Sequence, residues 1–212
     1  MQEPETHYGS TLRLVETRKP ALAEQGYQRS YEVRTDPGGA VQAQCDLYEK
    51  SLQRRLSITD ADGLGWEMRP NRRIMPTRWH ISAPDGAVYT VRLPGFLRML
   101  NPLGRVYLYL DDAQNRRCYT MTDLDSSLGD RLMRSPVSTW SFTEQGRVLA
   151  RLAWLPRAEE EARKKKGLFA RFRGWLRKSD RALRSTGAEP LFPAPVFLGL
   201  VLVYEEVSNA PA

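Results

Sequence analysis

Two histidines and two cysteines in 212 residues leave little of the chemistry from which metal centres, thiol sites and general bases are most often built. His80 sits between Trp79 and Ile81, so strand alternation turns it away from their face. His7 lies close to the start of the sequence, where chains commonly fray. Cys45 and Cys118 are far apart and have no metal-type spacing. They fit a reducing compartment and read as buried apolar filler, not as a disulfide scaffold. The sequence has no His-x-x-x-His, Cys-x-x-Cys, Gly-x-Ser-x-Gly or phosphate-loop pattern. "GLGW", from Gly63 to Trp66, is a turn, and the Asp111-Asp112 pair reads as hairpin-tip chemistry. The acidic "DLDSSLGD", Asp123 to Asp130, fails as an EF-hand: its glycine is misplaced and position twelve is Arg134 instead of a glutamate. No catalytic residue, cofactor or metal is therefore expected.

Long hydrophobic runs are scarce too. The longest, Val196 to Tyr204, is about half of the ~20 residues needed to cross a bilayer. The opening MQEPETHYGS has neither a basic stretch nor an apolar one, so no secretory signal is expected. These absences predict a cytoplasmic protein, peripheral at most to the inner face of a membrane.

What the sequence does have is hairpins. "YEVRTDPGGAVQAQ", "LSITDADGLGWEM", "WHISAPDGAVYTVRL", "VYLYLDDAQNRRCYTMT" and "WSFTEQGRVLARLAW" each join two alternating runs through a turn rich in glycine, aspartate or asparagine. Val148, Ala150, Leu152 and Trp154 form one apolar stripe, opposite Arg147, Arg151 and Ala153. Val106, Leu108 and Leu110 form another, opposite Tyr107 and Tyr109. Ala87, Tyr89, Val91 and Leu93 form a third. Period two with one apolar face predicts antiparallel sheet with one side buried. Five hairpins give about ten strands, and "TLRLVET" adds another. So many strands must close into a barrel or split into a sandwich.

Two segments break the pattern. Val196 to Tyr204 is apolar throughout. Periodicity leaves a buried strand and a buried helix both open, and its β-branched residues favour the strand. The other is the basic stretch after Pro156. From Arg157 to Arg184 there are 11 Lys/Arg and 4 Asp/Glu, a balance of +7, which equals the net charge of the whole chain. Pro156 suits a first helical position, and Glu159, Glu160 and Glu161 favour the positive end of a helix. Leu168, Phe169, Phe172, Trp175, Leu176 and Leu183 fall on one helical stripe, flanked by Arg171, Arg173, Arg177, Lys178, Arg181 and Arg184. Gly167 and Gly174 each weaken an isolated helix by about 1 kcal/mol, so the apolar face must gain stability from what it touches. Three contacts compete: the protein's own barrel, an anionic membrane surface, and a protein or nucleic-acid partner. A continuous aromatic stripe suits nucleic acid least.

The hairpins "SITDADG", "RWHISAPDG" and "VYLYLDDAQN", followed at the end by "VFLGLVLVYEEV", resemble the tubby C-terminal-like superfamily, which includes the LURP-one-related proteins and the phospholipid scramblases. The resemblance covers roughly residues 31–207, apart from the basic segment, and rests on layout, with no phosphoinositide-binding or calcium-binding residue matched. It implies a closed antiparallel β-barrel of about a dozen strands around a buried hydrophobic C-terminal helix. Val196, Phe197, Leu198, Leu200, Val201, Leu202 and Val203 would be the core of that helix. It further implies a single domain over 11–207, interrupted by a basic amphipathic helical insertion at 156–190, just before the central helix. Residues 1–10 and 208–212 would be flexible ends. Lipid association recurs in the family. The expected function is then non-enzymatic binding of an anionic phospholipid surface through Arg163, Lys164, Lys165, Lys166, Leu168, Phe169, Arg171, Phe172, Arg173, Trp175, Leu176, Arg177 and Lys178. The alternatives are a protein- or nucleic-acid-interaction module using the same helix, or scramblase-like activity.

Overall fold

The hairpin turns form where residues that tolerate positive φ fall between alternating runs. Gly63, Gly86 and Gly146 all have φ near +80° to +90°, and Arg116 and Gln145 are also left-handed. Asp60 closes one turn by accepting from the backbone N–H groups of Asp62 at 3.0 Å and Leu64 at 2.9 Å, while its other oxygen accepts from Trp66 Nε1 at 2.9 Å. Asp112 does the same for Asn115, whose backbone N–H donates at 3.1 Å.

The computed structural model describes residues 9–17, 27–35, 39–48, 55–73, 76–94, 106–124, 139–155 and 180–209. Twelve strands follow in chain order: β1 Ser10–Thr17, β2 Tyr27–Thr35, β3 Val41–Tyr48, β4 Leu56–Asp60, β5 Gly65–Pro70, β6 Arg78–Ser82, β7 Val88–Arg92, β8 Val106–Asp112, β9 Arg117–Thr122, β10 Thr139–Glu144, β11 Arg147–Leu155 and β12 Asp180–Ser185. Each pairs antiparallel with its neighbours in sequence, and β12 pairs with β1, so the sheet closes into a barrel and leaves no edge. Closure excludes the sandwich.

The last element, helix α1 (Ala194–Asn209), runs inside this wall. Val196, Phe197, Leu198, Leu200, Val201, Leu202 and Val203 are all 0–1% exposed and pack among inward residues such as Ile58, Ile81, Val91 and Phe142. The β-branched content of the segment favoured a strand, but the wall's strands already use their backbone groups on one another. A segment alone in the lumen must satisfy its own N–H and C=O groups, and only a helix does so. Gly199 lets it approach the wall: a Cβ there would lie 2.7 Å from Ile81 Cδ1 and 3.2 Å from Met68 Sδ.

Four details depart from the sequence reading. The basic segment does not continue as a helix through residue 184 or as an insertion through 190. Arg181, Leu183 and Arg184 lie on β12, the closing strand, and Leu183 is fully buried beside Leu12 and Leu152. Leu183 fits a helical stripe at i+15, but it also alternates with Arg184 at period two, and closure of the barrel decides between them. Second, β11 carries a bulge: Phe142 faces Ala150, but Thr143 faces Val148, so Leu149 packs on the core and Val148 leaves the stripe. Third, a register shift between Val106 and Leu108 turns Tyr107 onto the core, away from Tyr109's face. Fourth, Cys45 is buried as expected, but Cys118 is exposed on the outer face, because its neighbour Tyr119 takes the inward position.

Candidate functional site: the basic mouth of the barrel

An antiparallel barrel sorts its connections between two ends. The links β2–β3, β4–β5, β6–β7, β8–β9 and β10–β11 are tight and share one mouth with the β12–α1 link. The other mouth takes the longer connections: 18–26, 49–55, 71–77, 93–105, 123–138 and 156–179. In sequence these six hold 20 Lys/Arg and 8 Asp/Glu, a balance of +12. The links at the turn mouth hold 1 basic and 4 acidic residues, a balance of −3. Outside 157–184 the chain sums to zero, yet the fold polarises that remainder as well. The five connections other than 156–179 also join strand ends at this mouth, and by sequence they hold 11 basic and 5 acidic residues. Linear charge counting missed this, because the polarity appears only once strand direction is known.

The predicted residues Arg163, Lys164, Lys165, Lys166, Leu168, Phe169, Arg171, Phe172, Arg173, Trp175, Leu176, Arg177 and Lys178 lie outside the described residues. The points between which their segment is strung are described: Leu155 and Asp180 face each other across the β11–β12 ladder. The segment therefore leaves from the long-connection mouth. The expected position just before the central helix is corrected: β12 intervenes, and α1 starts from the opposite mouth. Phe192, leading into α1, packs edge-on against Tyr119 and Phe142 at centroid separations of 5.1 Å and 5.2 Å.

Helix α1 comes out where the basic connections begin. Tyr204 packs there at a tilt against Tyr107 at 5.0 Å and edge-on against Trp140 at 5.8 Å, and those two rings lie 4.9 Å apart. Next to this aromatic plug, Glu205 forms an ion pair with Arg181 and accepts a hydrogen bond from the Tyr31 hydroxyl at 3.3 Å. Arg29 Nη1 donates to the same hydroxyl at 3.4 Å. Both members of the ion pair are about six-sevenths buried, with side-chain exposures of 13% and 14%. Arg181 faces inward because it is two residues from inward Leu183, and Tyr31 faces inward from β2. Burial pushes the Glu205 carboxyl above the usual range. The Arg181 and Arg29 charges and the Tyr31 hydrogen bond pull it down and offset only part of that shift, and Glu16 adds a further upward push. The arrangement ties the strand that follows the basic segment to the tip of the central helix.

The raised carboxyl predicts a pH dependence of stability. An unfolded glutamate titrates near about 4.3. Between that value and the raised folded value, the folded chain holds more protons than the unfolded one, so stability from this group falls as pH rises through the window. Glu205→Gln lacks this titration. In urea unfolding from about pH 4 to about pH 8, the stability of Glu205→Gln relative to wild type should rise across the window and then level off. A difference independent of pH would show that Glu205 is not perturbed.

The described residues bring few reactive side chains together. Among the described residues, no group of three or more His, Cys, Asp or Glu is placed to hold a metal. His80 is exposed, with Nδ1 3.0 Å from Thr90 Oγ1. Cys118 lies on the outer wall, 3.6 Å from Arg92 Nη2, and Arg92 also binds Asp111 at 2.6 Å and stands 4.1 Å over the Tyr109 ring. Partial burial and a hydrogen bond to Asp111 push the Cys118 thiol up, against thiolate formation. Among the described residues, no helix is long and apolar enough to cross a membrane.

Fold and site together define a closed twelve-stranded antiparallel barrel, threaded by its C-terminal helix, whose basic connections join strand ends at one mouth. No family model matches the chain, and no curated protein matches it. A crystal structure of a protein from Arabidopsis thaliana aligns with it at a TM-score of 0.49 and 11% identity, over 98% of this chain and 97% of that one.

Proposed function

We propose that this protein is a non-enzymatic, tubby- or LURP-one-like barrel that binds anionic phospholipid at a membrane surface with its basic mouth facing the lipid. It rests on the topology of the connections: those that join strand ends at one mouth hold a sequence charge of +12, and those at the other hold −3. Such polarity orients a body towards an anionic plane, and each basic residue near the lipid contributes about 1 kcal/mol within a Debye length. The segment 156–179 adds apolar residues to that charge. Phe169, Phe172, Trp175 and Leu176 would enter the interface, while Lys164, Lys165, Lys166, Arg171, Arg173, Arg177 and Lys178 would hold headgroups. Arg181 and Arg184, which flank the helical stripe in the sequence, belong to the barrel wall and are no part of this set. The reading places the protein in the cytoplasm, at the inner face of a membrane.

Sedimentation with vesicles of graded anionic content tests it. Wild type should bind acidic vesicles at low salt, and Phe172→Ala/Trp175→Ala should bind at least tenfold more weakly. No binding to acidic vesicles at low salt would sink the reading. Salt-sensitive binding unchanged by loss of the aromatics would favour a purely electrostatic partner instead.

A further inference from the structure

One face of the outer wall is closed to solvent although no described strand lies over it. Outward positions of an antiparallel barrel are ordinarily solvated, as Gln44 on β3, Ser57 on β4, Arg69 on β5 and His80 on β6 are. At the long-connection end of β9, β10 and β12 the outward positions are covered instead. Alternation with inward Trp140 and Phe142 points Ser141 outwards, yet it is 1% exposed. Ala182, outward between Arg181 and Leu183, is 0% exposed, and Thr122, outward beside Met121, is buried as well. The ladder gathers them into one patch. Ser141 faces Thr122 on β9 and Arg151 on β11, while Ala182 faces Ala153 on β11. These ladder neighbours lie beside the patch, not over it. Ser141 Oγ is buried there without a hydrogen-bond partner, which is costly unless an occupant supplies one.

We propose that this patch seats the apolar stripe of the chain's own segment 156–179, and that the segment leaves the seat when it meets lipid. The segment is strung from Leu155 to Asp180, each two residues beyond Ala153 and Ala182 on the same face. Tethered at both ends beside the patch, it is held there at high effective concentration. The shapes are complementary. Ser141, Ala153 and Ala182 are small, and the stripe carries Phe169, Phe172 and Trp175, so large side chains meet a wall that leaves room for them. Charge agrees as well. Outward Arg13, Arg151 and Arg184 border the patch, and the segment opens with Glu159, Glu160 and Glu161. Gly167 and Gly174 leave the segment dependent on whatever its apolar face touches. The seat itself is argued from the wall alone. That the seat and lipid compete for one stripe rests on the function proposed above, and makes the seat an autoinhibitory contact.

Limited trypsin digestion of the full chain, read as the rate of cleavage within 163–178, tests the seat. Ser141→Gln/Ala182→Gln places two long neutral side chains on the patch without changing the charge. It should raise the rate about tenfold, because cleavage of an opened segment tracks its population. Ser57→Gln, on the exposed outer face of β4, should leave the rate at the wild-type value. Phe172→Ala/Trp175→Ala changes no residue of the wall and should raise the rate about as much as the patch pair. The four substitutions together should be cut no faster than either pair, because both pairs remove one shared contact. Equal rates in all the proteins, or effects of the two pairs that multiply, would overturn the seat. Vesicle sedimentation separates this result from the lipid reading. With both in place, Ser141→Gln/Ala182→Gln binds acidic vesicles several-fold more tightly than wild type, since its stripe is already free. Equal vesicle affinity of the two proteins would overturn the competition. If neither protein binds vesicles, the lipid reading fails, and the digestion alone decides the seat.

Discussion

Phe197→Ala is expected to lower the unfolding free energy by about 3–5 kcal/mol. Phe197 is fully buried in the first turns of α1, inside a wall whose strands are tied edge to edge. A closed barrel cannot collapse onto a truncated lumen residue as freely as two loose layers can, so the cavity would persist and the cost should fall in the upper part of the large-to-small range. A matched truncation at exposed Leu64, at the turn mouth, should change stability by about 0.5 kcal/mol or less. Urea unfolding of the two variants checks the contrast. A small cost at Phe197 would mean that the helix does not fill the barrel.

The second large effect depends on where a deletion ends. Replacing residues 157–178 with a short glycine-serine linker should leave a cooperative unfolding transition. Leu155 and Asp180 already face each other in the ladder, and a hairpin-sized linker spans that gap. Extending the deletion through Arg184 removes β12. The barrel then loses its pairing to both β1 and β11, the burial of Ala182 and Leu183, and the Arg181 partner of Glu205. Two open edges and a breached core should abolish the cooperative transition. Circular dichroism melts of the two deletions separate these outcomes. Equal melting behaviour would contradict the assignment of 180–185 to the wall.

The features legible in the sequence were the local ones. Asp-Gly and Gln-Gly turns between alternating runs marked five hairpins, because turn chemistry and period two are written in adjacent residues. Val196 to Val203 was visible as a buried segment, but its helical state followed only from the family layout, because local periodicity left strand and helix open and the choice depends on a wall of twelve strands elsewhere in the chain. Similarly, Leu183 read as the end of a helical stripe, because its partners Leu12 and Leu152 are far away in sequence. The bulges at Leu149 and Tyr107 depend on which residues face them across the ladder and leave no local mark. The basic run was obvious from composition. The basic mouth was not: Arg55, Arg72 and Arg73 gather there only because strand direction brings alternate connections to one end.

The central claim is that the protein meets an anionic lipid surface through this mouth, using the segment strung between Leu155 and Asp180. The most direct test compares vesicle binding by wild type with that of the 157–178 replacement, once the replacement is known to be folded. The account predicts that wild type sediments with acidic vesicles at low salt and that the folded replacement retains less than about a tenth of that affinity, given the basic and apolar residues removed. Undiminished binding by the folded replacement would contradict it.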